Sequence, residues 1–159
     1  MGPAKRRLPR NIFRTTPRVV NFVNADLIAS GLSPLKPELA AVAAARLVLE
    51  ELDRLTRLRA DFAWESTLSG LTYAKRIQEM KQLGYHVEII YLQLVSPQLA
   101  LRRIAGRVRQ GGHNVKKADV LRRFSRSWLN FQATYRPLAD AWTVYDNSTR
   151  PPILIESGP

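Results

Sequence analysis

At 159 residues and 45% apolar side chains, the chain suits one domain with its own core and is too apolar for a disordered polymer. It has no cysteine, which excludes disulfides, thiolate metal sites and cysteine nucleophiles. Lys and Arg outnumber Asp and Glu by 25 to 13, and the net charge of +12 favours polyanions, either nucleic acid or the phosphates of a nucleotide. Residues 1–18 hold three prolines and six Lys or Arg with no apolar period, and read as an irregular basic segment ahead of a domain over residues 19–159. No apolar run approaches the length of a membrane span, and no apolar segment with a cleavage site follows the basic start, so a cytoplasmic protein is expected.

Val19 to Val23 is a strand by its β-branched and aromatic residues, and it breaks into a loop that carries Asp26. Pro37 opens a helix to about Arg59, with Leu39, Val42, Ala43, Leu49 and Leu52 as its apolar face. Phe62 to Ser66 is a second strand, followed by a helix from Thr72 to Leu83 that Gly84 ends. Val87 to Leu94 is almost continuously apolar, the pattern of a strand buried on both faces of a parallel sheet. Pro97 starts a helix to about Arg109, Gln110 to Asn114 form a flexible break, and another helix spans roughly Lys116 to Tyr135. Two short strands, Trp142 to Tyr145 and Ile153 to Ile155, close the chain. Strands alternating with helices predict an α/β domain around a parallel sheet, with the loops after its strands at one edge.

That topology gives Asp26 and the Glu65-Ser66-Thr67 group a common cleft. Each acid also has a plainer reading. Asp26 caps the turn that follows it, and Glu65 is a surface acid at a strand end. The basic excess concentrates in Arg102 to Arg126, either as a solvated helix face or as a phosphate-binding one, and no zinc finger, basic zipper or aromatic RNA-binding signature accompanies it.

Three stretches sharpen the choice. Asn-Ala-Asp-Leu-Ile-Ala-Ser-Gly-Leu-Ser-Pro from Asn24, Phe-Ala-Trp-Glu-Ser-Thr-Leu-Ser-Gly from Phe62 and Val-Arg-Gln-Gly-Gly-His-Asn-Val from Val108 resemble, in order and spacing, the zeta toxin family. These are P-loop kinases that phosphorylate UDP-N-acetylglucosamine with ATP, and the likeness runs from about Asn21 to Asn147. It implies a P-loop NTPase-like fold, ATP with Mg²⁺ as cofactor, a nucleotide-sugar substrate and an antitoxin protein as a possible partner; no metal ligands are assigned. By resemblance Asp26 is the base for the substrate hydroxyl, and Glu65, Ser66 and Thr67 contact the sugar. Arg107 or Arg109 is the first arginine of a lid, with Arg122 or Arg123 as candidates for the second. A planar guanidinium fork suits the charge on a transferring phosphoryl group. His113 shapes the lid loop, and Asp146 and Asn147 fall on the loop bordering the adenine.

One part of the family pattern is missing. P-loop kinases open with an apolar strand and a glycine-rich loop ending in Gly-Lys-Ser/Thr, and nothing in residues 1–18 fits it. Family members tend to read Asn-Gly-Ala-Gly-Lys-Thr-Thr-Phe-Ala-Arg there. One coding of that peptide, read one base later, becomes Met-Gly-Pro-Ala-Lys-Arg-Arg-Leu-Pro, which is Met1 to Pro9 of this chain. The expectation is therefore a zeta-toxin-like kinase domain whose phosphate loop is out of frame, truncated and defective in transfer. The rivals are a non-catalytic remnant that binds an antitoxin-like partner and a basic nucleic-acid-binding protein. The DNA upstream of Met1 tests the frame shift: the other frame must encode the glycine-rich loop behind an apolar strand.

Overall fold

A computed structural model describes residues 19–110, 112 and 114–159. The basic segment 1–18, with Gly111 and His113 of the glycine break, lies outside the described residues. The chain is mixed α/β and divides into two compact units, residues 1–66 and 67–159. No described helix is long and apolar enough to cross a membrane.

In the first unit, β1 (Asn21–Val23) and β2 (Phe62–Trp64) pair in parallel, with Val23 opposite Trp64. Between them run α1 (Ala25–Leu32), a 3₁₀ turn at Pro37–Ala40 and α2 (Ala41–Arg57). α1 stands where the sequence predicts a loop. Asn24 starts the helix instead: its backbone is extended, and its side-chain oxygen accepts the Leu27 amide at 3.0 Å. Asp26 lies within the first turn, so the cap is Asn24 and not Asp26.

The long helix forms where Pro37 predicts, but its buried face differs. Ala40, Ala44, Val48, Leu52 and Leu55 point inward, while Leu39 and Val42 are 77% and 69% exposed. Of the expected face only Leu52 is fully buried. The small side chains decide this. Ala29 of α1 shares a core with Ala40 and Ala44, and residues without bulk let the two helices approach closely.

In the second unit, β3 (Glu88–Gln93), β4 (Ala141–Asp146) and β5 (Ile153–Gly158) form a sheet in that order, β3 parallel to β4 and β5 antiparallel to it. The expected single parallel sheet is thus two sheets among the described residues. The expectation that the Val87–Leu94 run is buried on both faces is corrected too. β3 is the end strand of its sheet, with Glu88 exposed and the rest half-buried.

Around this sheet lie α3 (Thr72–Gln82), α4 (Pro97–Arg109), α5 (Lys117–Asn130), a π-turn at Phe131–Tyr135 and α6 (Arg136–Leu138). Gly84 ends α3 with φ +87°, where a side chain would be strained. Ser96 caps α4 through a 3.2 Å bond from the Leu99 amide, ahead of Pro97. Phe131, Tyr135, Val144 and Ile77 are all fully buried in this unit.

One ion pair ties the start of β3 to the start of β4. The Asp140 carboxylate accepts the Val87 amide at 2.8 Å and lies 2.9 Å from the Lys81 ammonium. The Val87 amide, then Lys81 and more weakly His86, hold the Asp140 carboxyl below the ordinary carboxylate value of about 3.9. A depressed folded value means the stabilisation is complete above that ordinary value and is lost as pH falls through the folded one. The contribution of this carboxylate to stability should therefore be level from pH 7 to 5 and drop below about pH 4. Asp140→Asn should flatten that drop by about 1 kcal/mol, read from thermal melts at pH 3 and pH 6.

Candidate active site

Parallel pairing of β1 and β2 brings their carboxyl ends side by side, where α/β folds present polar groups to ligands. The register is closed by the Glu65 amide, which donates to the Val23 carbonyl at 3.1 Å. Just beyond, the Asn24 side-chain amide donates to the Glu65 carboxylate at 2.7 Å. One asparagine thus caps α1 with its oxygen and orients Glu65 with its nitrogen. Asp26, two residues on and exposed, belongs to the same sheet edge. Ser66, half-buried, follows Glu65 at the end of this unit.

A cleft of about 520 Å³ opens in the first unit, bordered by Val23, Asn24, Leu27, Ile28, Leu47 and Glu51. Its described lining includes Asn24 but neither Asp26 nor Glu65. Both predicted acids are exposed at the strand ends, and neither borders this cleft. Glu51 is occupied by Arg54, whose guanidinium meets both of its carboxylate oxygens at 2.7 Å.

The remaining predicted residues belong to the second unit. Thr67 Oγ1 lies 2.9 Å from Ser69 Oγ, making a pair of adjacent hydroxyls on the loop after β2. Arg107 and Arg109 occupy the last turn of α4. The Gly112 amide donates to the Arg107 carbonyl at 3.0 Å, and a Cβ on Gly112 would fall 2.5 Å from Arg107 Cγ. Glycine at 112 is thus what lets the chain fold back over the Arg107 stem. Arg122 bonds Asp119 at 2.8 Å on its own helix, which holds the Asp119 carboxyl below its usual value; Arg123 is exposed.

Asp146 ends β4 and Asn147 opens the turn after it, and their groups hold that turn together. The Asp146 carboxylate accepts the Ser148 amide at 2.8 Å, and Ser148 with Arg103 keeps its carboxyl below the usual range. The Asn147 amide donates to the Gln93 carbonyl at 2.8 Å. Arg103, on α4, donates to the Ser148 carbonyl at 3.0 Å, so this arginine braces the loop rather than facing a phosphate.

Sequence reasoning missed Asn24 in the first unit and Asn130 and Tyr135 in the second. Asn24 had a signal, an Asx residue two positions before an acid at a strand end. Asn130 and Tyr135, which bond the hydroxyl loop, had none, because a π-turn follows no pattern of apolar spacing.

Comparison with known proteins places the chain among relatives. A family model described as Zeta toxin matches residues 35–151. An uncharacterized protein of Haemophilus influenzae is 30% identical over 102 residues, covering 64% of this chain and 73% of the relative. No solved structure matches.

Proposed function

The chain belongs to the zeta toxin family, and from that premise we propose a P-loop kinase-like domain that binds a nucleotide sugar of the UDP-N-acetylglucosamine type through a hydroxyl-recognition edge. The observation that carries this reading is the Asn24–Glu65 bond at the adjoining ends of β1 and β2, which ties the start of the Asp26 helix to the Glu65 loop. Glu65, oriented by Asn24, accepts a sugar hydroxyl, with the Ser66 and Thr67 hydroxyls as directional partners. Asp26 is the carboxylate that would take the proton of the reacting hydroxyl. Arg107 or Arg109, with Arg122 or Arg123, neutralise phosphate charge.

ATP and Mg²⁺ are what the family brings to such a domain, and the residues present fit them only in part. The arginines suit phosphate oxygens. The 159 residues contain no Gly-Lys-Ser/Thr loop to wrap the β- and γ-phosphates in amides, and among the described residues no group of three His, Asp or Glu could hold a metal. The role proposed for these 159 residues is therefore sugar-nucleotide binding, with efficient transfer depending on a phosphate loop that they do not contain.

Calorimetry and a transfer assay test both halves. The chain should bind UDP-N-acetylglucosamine, with Glu65→Ala weakening it roughly tenfold or more, the scale of a charge-assisted hydrogen bond. Labelled ATP with Mg²⁺ should give no transfer above an Asp26→Ala control. Transfer above that control makes the chain a working kinase. Absence of sugar-nucleotide binding, with salt-dependent capture of DNA or RNA, makes the charge a nucleic-acid surface instead.

A further inference from the structure

The loop that follows β2 carries the Thr67 and Ser69 hydroxyls, and its backbone is fastened at two points. Leu68 adopts φ +52°, a left-handed conformation that costs a branched side chain energy unless its surroundings enforce it. The Leu68 carbonyl accepts the Asn130 side-chain amide at 2.9 Å. The Gly70 carbonyl accepts the Tyr135 hydroxyl at 2.6 Å. Both donors come from the segment that continues α5, more than sixty residues further along the chain.

These two donors are five residues apart. On a regular α-helix, residues five apart are rotated by roughly 140° and face different directions. Asn130 ends α5 and Tyr135 ends the π-turn, whose wider i→i+5 winding narrows the angle between such residues. The π-turn thus lets one helix present two donors to alternate carbonyls of one loop. Tyr135 is fully buried, and burial raises its phenol, so the hydroxyl remains a donor at neutral pH. The loop answers with an internal bond: Thr67 Oγ1 pairs with Ser69 Oγ at 2.9 Å and accepts the Ser69 amide at 3.4 Å, around Leu68 itself.

We propose that Asn130 and Tyr135 are positioning residues, and that the π-turn exists to hold the Thr67 and Ser69 hydroxyls in the geometry that receives a sugar hydroxyl. This rests on the nucleotide-sugar reading for the identity of the ligand, but the fastening of the loop can be measured without any ligand. The same helix carries Arg122 and Arg123, so the strut that sets the hydroxyls also bears the cations proposed for phosphate.

Full-length Asn130→Asp, which removes the donor in the same shape, and Tyr135→Phe test the idea against Met80→Ala, a buried change on α3 that touches neither carbonyl by hydrogen bond. Each is measured by thermal melting, by amide hydrogen exchange over residues 68–71 and by calorimetric binding of UDP-N-acetylglucosamine. Asn130→Asp and Tyr135→Phe should speed exchange in that loop and weaken binding by roughly three- to tenfold each, the range for one net hydrogen bond. Asn130→Gln, which keeps a donor, should restore part of both. Met80→Ala should lower the melting temperature and leave loop exchange and affinity in place. If affinity and loop exchange simply follow the melting temperature across all variants, the positioning role is wrong. If the parent chain binds no UDP-N-acetylglucosamine, the functional reading fails, and exchange alone decides the clamp: selective loosening of 68–71 upholds it, uniform protection overturns it.

Discussion

Replacing residues 1–9 by an apolar five-residue strand and an Asn-Gly-Ala-Gly-Lys-Thr-Thr loop is expected to raise the affinity of this chain for ATP by roughly a hundredfold or more. That is about 2.8 kcal/mol, the worth of two charge-assisted hydrogen bonds, and such a loop supplies several backbone amides and a lysine. The arginines of α4 and α5 do not replace it, since they bring charge without a concave array of N–H groups. The basic residues that stand there now, Lys5, Arg6 and Arg7, bring charge in a segment with no glycine-rich turn.

The graft should also stabilise the fold. β2 and β3 are end strands of parallel pairs, and β3 is built from Ile89, Ile90, Tyr91 and Leu92, a composition suited to the interior of a sheet. One parallel strand of apolar residues extends either sheet and covers edges that invite aggregation. ATP affinity by calorimetry, with the loop lysine changed to Met as control, gives the answer. A graft that melts cooperatively yet binds ATP no better than the parent, or no better than its lysine variant, would falsify the view that a phosphate loop is what limits ATP binding by these 159 residues.

Several elements were legible because their signals are local. Pro97, with arginines at the far end, predicts α4 to about Arg109, where it ends, and Gly84 marks the end of α3. Other elements were not, because their causes are tertiary. α1 hides because Asn24-Ala25-Asp26 reads equally as a turn, and only the bond to Leu27 makes Asn24 a cap. The face of α2 was misjudged because leucines and valines were weighted above alanines, while the packing against α1 selects Ala40 and Ala44. β5 runs antiparallel, which no composition reveals. At the site, acids after apolar runs pointed to Asp26 and Glu65. The Asn24–Glu65 bond depends on the register of two strands about forty residues apart, and sequence spacing carries no record of it.

Phe131→Ala is expected to cost about 3–5 kcal/mol, the largest loss from any single truncation in the second unit. Phe131 is fully buried at the first residue of the π-turn. Its ring stacks on Tyr91 at 4.7 Å, tilts against Trp128 at 5.7 Å and meets Trp142 edge-on at 6.4 Å. Truncation therefore opens a cavity and removes three aromatic contacts, each worth about 0.5–1.5 kcal/mol beyond area burial. Against a total stability of about 5–15 kcal/mol, that loss should lower the melting temperature by roughly 15 °C or more and flatten the near-ultraviolet signal of Trp128 and Trp142. Leu35→Ala, at a side chain 96% exposed, should leave both unchanged. The consequence reaches the site through the chain itself. Phe131 lies between Asn130 and Tyr135, so losing its anchor frees the turn that holds the two donors in phase. A Phe131→Leu variant separates packing from phase: it refills most of the volume, and should recover most of the stability while the loop at 68–71 stays more open to exchange than in the parent. A loss below about 1 kcal/mol on Phe131→Ala would mean that the aromatic cluster is not the core of this unit.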